Sequence, residues 1–113
     1  MVQRDGMEPP AALDLRIEDL HVVKAILQRC VPGIEVRAFG SRVGHAAKRY
    51  SDLDLVLRAG KAVAARPLSL LVQAFADSDL SIKVDVVDGA TLSSEWGEGL
   101  LASSVLIQAG REI

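Results

Sequence analysis

Asp52 and Asp54 stand two residues apart in the segment Ser51-Asp52-Leu53-Asp54-Leu55-Val56-Leu57-Arg58. Leu53, Leu55 and Leu57 alternate with the aspartates, as they do on a strand. Both carboxylates then leave one face, about 7 Å apart at Cα. Two neighbouring carboxylates repel, and each resists ionising. Divalent cations remove that penalty; paired ions roughly 3.5–4 Å apart are a span such carboxylates can bridge. An oxygen-only ligand set points to Mg²⁺, with Mn²⁺ as the alternative, and away from zinc. An Asp-x-Asp by itself fits a solvated edge strand better than a metal site, so its surroundings carry the weight.

Those surroundings include Gly40-Ser41-Arg42, placed where a preceding strand ends. Glycine lets backbone approach a ligand closely, and a serine hydroxyl with exposed N–H groups can hold phosphate oxygens. Arg42 adds a planar fork of donors suited to phosphate. A phosphate cradle and a carboxylate pair would then occupy neighbouring strands.

The stretch FGSRVGHAAKRYSDLDLVL resembles the DNA polymerase β-like nucleotidyltransferases, whose signature is Gly-Ser, about ten residues, then Asp-x-Asp. The longer phrase GSRxxGxAxxxSDLDL is matched at Gly40, Ser41, Arg42, Ala47 and the whole of Ser51 to Leu55; His45 stands where the phrase has glycine, and Gly44 comes one residue early. The match looks like the minimal nucleotidyltransferases (MNT proteins), small bacterial and archaeal proteins often paired with HEPN-domain partners. The likeness runs from about Leu20 to Ile107.

The resemblance implies a third carboxylate on a later strand. Asp85 and Asp88 both stand in Lys83-Val84-Asp85-Val86-Val87-Asp88, three apart and so on opposite faces of a strand. Only one can join the site, and the family's hydrophobic-Asp-hydrophobic pattern selects Asp85. The implied mechanism has Gly40, Ser41 and Arg42 on the phosphates of ATP, and two Mg²⁺ ions on Asp52, Asp54 and Asp85. A hydroxyl attacks the α-phosphorus and pyrophosphate leaves. The implied acceptor is a tyrosine of a cognate HEPN toxin, with this chain as the antitoxin. No acceptor-binding domain is evident, so a partner or a second copy in a homo-oligomer must supply that surface. The alternatives are a non-catalytic module that neutralises its partner by occlusion, and transfer to a small molecule of the aminoglycoside type.

The elements that must position these residues follow from periodicity. Ile17, Leu20, Val23, Leu27 and Cys30 recur every three or four residues, which predicts a helix ended by Pro32-Gly33. Ile34–Phe39 reads as a strand, Gly40–Ser51 as a basic loop opening on a helical turn, and Asp52–Arg58 as the best strand in the chain. Pro67 suits the start of a helix carrying Leu68, Leu71, Val72 and Phe75. Ser81–Asp88 is a third strand, Thr91–Leu101 a third helix and Ser104–Gln108 a short last strand. The order α-β-β-α-β-α-β is an α/β (α+β) domain with a mixed sheet and helices packed on one side.

With 113 residues, the chain suits one domain, expected over 14–113 behind a polar leader at 1–13. Half the residues are hydrophobic and only 4% aromatic, so the core is aliphatic. The net charge of −2 and the lack of a basic stripe exclude a duplex nucleic-acid footprint; Arg42, His45, Lys48 and Arg49 make a cluster sized for one polyphosphate. One cysteine, Cys30, permits no intrachain disulfide and reads as a small buried hydrophobe. No apolar run spans a bilayer and no signal-peptide h-region is present, so a cytoplasmic protein is expected. His21 reads as an exposed helix residue, Tyr50 as loop packing and Trp96 as core.

Overall fold

The computed structural model describes residues 13–44 and 51–111, without the side chains of 94–96. His45, Lys48, Arg49, Tyr50 and the Trp96 side chain therefore lie outside the described residues.

The elements run α1 (Ile17–Cys30), β1 (Glu35–Phe39), β2 (Leu53–Arg58), α2 (Ala65–Ala76), β3 (Val84–Asp88), α3 (Ser94–Ala102) and β4 (Val105–Gln108). Short 3₁₀ turns at Gly40–Arg42 and Gly89–Thr91 follow β1 and β3. The element order is the one the periodicities predict. In α1, Glu18 and Asp19 sit in the first turn and Arg29 in the last, each complementing the helix dipole. The helix stops where Val31 N–H bonds Leu27 C=O and Gly33 turns the chain at φ +80°.

The four strands form one mixed sheet in the order β3-β2-β1-β4, with β1–β2 and β1–β4 antiparallel and β2–β3 parallel. The parallel pair is joined through α2, as a parallel neighbour requires. One face carries Val36, Ala38, Leu53, Leu55, Leu57 and Ile107, all buried against Leu20, Val23 and Leu27 of α1 and Leu71 and Phe75 of α2. Each such large aliphatic side chain contributes roughly 1.5–3 kcal/mol by leaving water. Asp19 is buried and accepts a hydrogen bond from Ser81 Oγ at 3.0 Å, tying α1 to the segment entering β3.

Two details go beyond the periodicities. α1 and α2 cover the face just described, while Leu100 of α3 and Val56 of β2 are buried outside that core and line one cavity. Val56 alternates with Leu55 and Leu57, so it points to the other face and needs its own cover. The described fold also takes in Leu13. Leu13, expected in the leader, is 3% exposed in the core and bridges Val43, and Asp14 N–H bonds Arg42 C=O at 2.6 Å. Among the described residues no helix is long and apolar enough to cross a membrane.

Candidate active site

Strand alternation sends Glu35, Arg37 and Phe39 of β1, Asp54, Val56 and Arg58 of β2, and Asp85 and Val87 of β3 to the face opposite the core of α1 and α2. The carboxylates gather at the end of this face where β1 finishes and β2 begins. Asp54 pairs with Phe39 across the antiparallel register and with Asp85 across the parallel one. Adjacent strands lie about 4.8 Å apart, so Asp54 and Asp85 are side by side. Asp52 stands immediately before β2.

Gly40 closes this end. Its φ of +81° is one that residues with a Cβ rarely adopt, and a Cβ built there would stand 2.5 Å from Oδ2 of Asp54. Glycine is thus required twice, for the turn and for the approach of backbone to carboxylate. Ser41 follows within the 3₁₀ turn, which Val43 N–H closes by bonding Gly40 C=O at 3.0 Å.

The electrostatics are those of crowded anions. Burial, then the charge of Asp85, then that of Asp52 hold the Asp54 carboxyl above the usual range. Lys83 Nζ lies 3.5 Å from Oδ1 of Asp85, an exposed pair of small worth. Among the described residues no three His, Cys, Asp or Glu side chains converge on one point as a finished cage. The fit to a cation rests instead on donor chemistry: three carboxylates at one end of the sheet, with Asp54 resisting its own charge beside Asp85 and Asp52. Hard divalent cations suit such a set.

Asp88 has a different occupation. Its Oδ1 accepts from Ala90 N–H at 3.0 Å, its Oδ2 from Val63 N–H at 2.8 Å, and its carbonyl from Thr91 Oγ1 at 2.7 Å. It fastens the turn after β3 to the segment entering α2, on the face away from Asp85.

Arg42 sits beneath the turn. Its side chain is buried, with Nε and Nη2 donating to Ser51 C=O at 3.2 and 3.0 Å and Nη1 to Asp14 C=O at 3.2 Å. In this structure the fork meets protein carbonyls. It clamps the residue before Asp52 and the segment entering α1 onto the Gly40 turn, so Arg42 positions the site from beneath. Arg42→Ala is expected to cost about 1–3 kcal/mol in a urea titration, because it strands buried carbonyls. Arg42→Lys is expected to recover little of that, since an ammonium cannot reproduce the fork.

Sequence reasoning missed the Leu13–Asp14 segment, although Leu13 and Leu15 alternate with Asp14 as a short extended piece should. It also missed the tie between Asp19 and Ser81, for which the sequence carries no local signal.

No family model matches the chain. It is 44% identical over 103 residues to a probable protein adenylyltransferase MntA of Haemophilus influenzae, covering 87% of this chain and 86% of that protein. In fold it is similar to a chain of a toxin–antitoxin crystal structure with AMP-PNP, at TM-score 0.66 and 22% identity over 81% of this chain and 74% of that one. It is similar also to a chain of the toxin–antitoxin MntA-HepT, at TM-score 0.60 and 19% identity over 83% of this chain and 73% of that one.

Proposed function

Because the chain belongs to the MntA family of protein adenylyltransferases, we propose that it moves AMP from ATP onto a hydroxyl of a cognate HEPN-domain toxin, acting as its antitoxin. The observation that carries this reading is the meeting of Gly40 with Asp54, with Asp85 in the next strand: a glycine turn open to phosphate sits directly against the carboxylates. The similar solved chains belong to toxin–antitoxin assemblies, one of them with AMP-PNP, which supports both the partner and the nucleotide.

The chain's own groups divide the work. Backbone N–H groups at the Gly40 turn and the Ser41 hydroxyl hold the β- and γ-phosphates. Asp52, Asp54 and Asp85 are the residues that would hold Mg²⁺, whose charge, when present, offsets the leaving pyrophosphate and acidifies the attacking hydroxyl. Asp85, at the outer strand of the three, takes the proton from the acceptor hydroxyl. The acceptor oxygen bonds the α-phosphorus as the bond to the bridging oxygen breaks, leaving an AMP ester and pyrophosphate. The acceptor is a tyrosine, whose aromatic hydroxyl gives up its proton more readily than an aliphatic one.

Mass spectrometry of the partner co-expressed with this chain tests the proposal. The expected result is a partner heavier by one or more AMP units with the wild-type chain, and unmodified with Asp52→Ala/Asp54→Ala. A partner neutralised by the wild type yet unmodified would favour occlusion and overturn the transfer reading.

A further inference from the structure

β3 is an outer strand: among the described residues the order β3-β2-β1-β4 sets no strand beyond it. In an extended strand the N–H and C=O of one residue leave the same edge, and successive residues alternate between edges. Leu53 N–H bonds Lys83 C=O at 2.9 Å, so Lys83, Asp85 and Val87 turn their backbone groups toward β2. Val84 and Val86 then turn theirs outward. The pairing with β2 runs through all five residues of β3 without a register shift, so no bulge twists this edge away.

Against the edge lies a groove of about 590 Å³, walled by Val72 and Phe75 of α2, by Leu80 and Ile82 of the segment entering β3, and by Val84 and Val86 themselves. Val72 is 51% exposed, a large apolar side chain left in water. Asp85 lines the same groove. Groove and carboxylate site therefore meet at Asp85, the group that takes the acceptor's proton.

We propose that the outer edge of β3 receives, as an added strand, the extended segment of the protein partner that carries the acceptor tyrosine. This rests on the reading of Asp85 as the base in transfer to a tyrosine. Strand addition draws affinity from main-chain hydrogen bonds and selectivity from the pockets that alternate side chains enter. Asp85 sets the register. A tyrosine opposite it leaves the same face as Asp85 and Asp54, one strand spacing of about 4.8 Å further out. Its hydroxyl then arrives on the outer side of Asp85, while Asp54 and the phosphates hold the inner side. The residues before and after that tyrosine point to the other face, into the groove, and are apolar to match Val72 and Ile82.

Amide hydrogen exchange on the whole chain, alone and with the proposed HEPN-domain partner in the absence of ATP, tests the docking directly. The amides of Val84 and Val86 are expected to exchange about tenfold or more slowly in the complex. Two variants test it by rate. Val84→Pro removes an outward N–H at the first residue of an edge strand, where proline is tolerated. Val72→Glu sets a charge in the groove from an exposed helix position. Each is expected to raise the partner concentration for half-maximal AMP transfer by about tenfold or more, and to leave ATP binding by calorimetry within about twofold of wild type. Val72→Ile keeps the apolar wall and should match wild type. Wild-type transfer in both variants overturns the proposal, and so does a complex in which Val84 and Val86 stay unprotected. Protection that grows with the concentration of this chain alone assigns the edge to a second copy and likewise overturns it. Protected amides in a complex whose partner gains no AMP would uphold the docking and defeat the transfer reading alone.

Discussion

Asp54→Asn is expected to melt at a higher temperature than the wild-type chain at neutral pH in chelator, and to transfer no AMP. The two effects have one origin. Burial and the charges of Asp85 and Asp52 raise the Asp54 carboxyl above its ordinary value, so the folded chain binds this proton more tightly than the unfolded one. Below the ordinary carboxylate range both states are protonated and no penalty exists. As pH rises from there through the raised folded value, the folded state must accept a crowded anion and loses stability. Above that value the penalty is constant. Asparagine carries no charge, so the mutant's advantage should open as pH rises and vanish in acid. Asp54 is only partly buried, so solvent screening keeps the gain to a small upward shift of the melting temperature. The same substitution removes a carboxylate from the proposed cation site. Metal ions contribute several kcal/mol of transition-state stabilisation, so transfer should fall by roughly a thousandfold or more. Melting curves across pH with a transfer assay check both halves. A mutant that is less stable at neutral pH would remove the crowded-anion account.

Gly40→Ala should lower both stability and activity. The residue sits at φ +81°, where a side chain costs roughly 1–2 kcal/mol. The new methyl would also stand 2.5 Å from Oδ2 of Asp54, so the carboxylate must move aside. A displacement near 1 Å at a reacting centre costs about a hundredfold in rate, and that is the expected loss of transfer. Gly33→Ala is the control. Gly33 has φ +80° but lies at the opposite end of β1, and its Cβ would meet the Arg111 side chain, nearest at Cβ, 3.4 Å away. It should lose similar stability and keep its activity. Equal activity losses in the two variants would show that the close approach of Gly40 to Asp54 has no catalytic meaning.

The contrast between these residues shows what the sequence could reveal. The placement of Asp52, Asp54 and Gly40 was legible because it depends on local geometry: strand parity and a turn after a strand. The separation of Asp85 from Asp88 was legible for the same reason, since three-residue spacing on a strand fixes opposite faces. The carbonyl contacts of Arg42 were not. Its donors serve phosphate or carbonyl equally well, and the carbonyls they meet belong to Asp14, 28 positions away, and to Ser51. The location of α3 was hidden for a related reason. In Leu53-Asp54-Leu55-Val56-Leu57 the only sign of a second apolar contact is Val56 on the aspartates' face, and one valine does not say which element covers it. Leu13 was assigned to the leader because a polar stretch precedes it, while its pairing with Val43 is a tertiary contact.

The central claim is nucleotidyl transfer to the partner, and labelled ATP tests it most directly. The chain, the proposed HEPN-domain partner and Mg²⁺ are incubated in parallel with ATP labelled at the α-phosphorus or at the γ-phosphorus. The account predicts label on the partner from the α-position alone, with pyrophosphate released in equal amount. Label arriving from the γ-position, or none from either while the partner is neutralised, would contradict it.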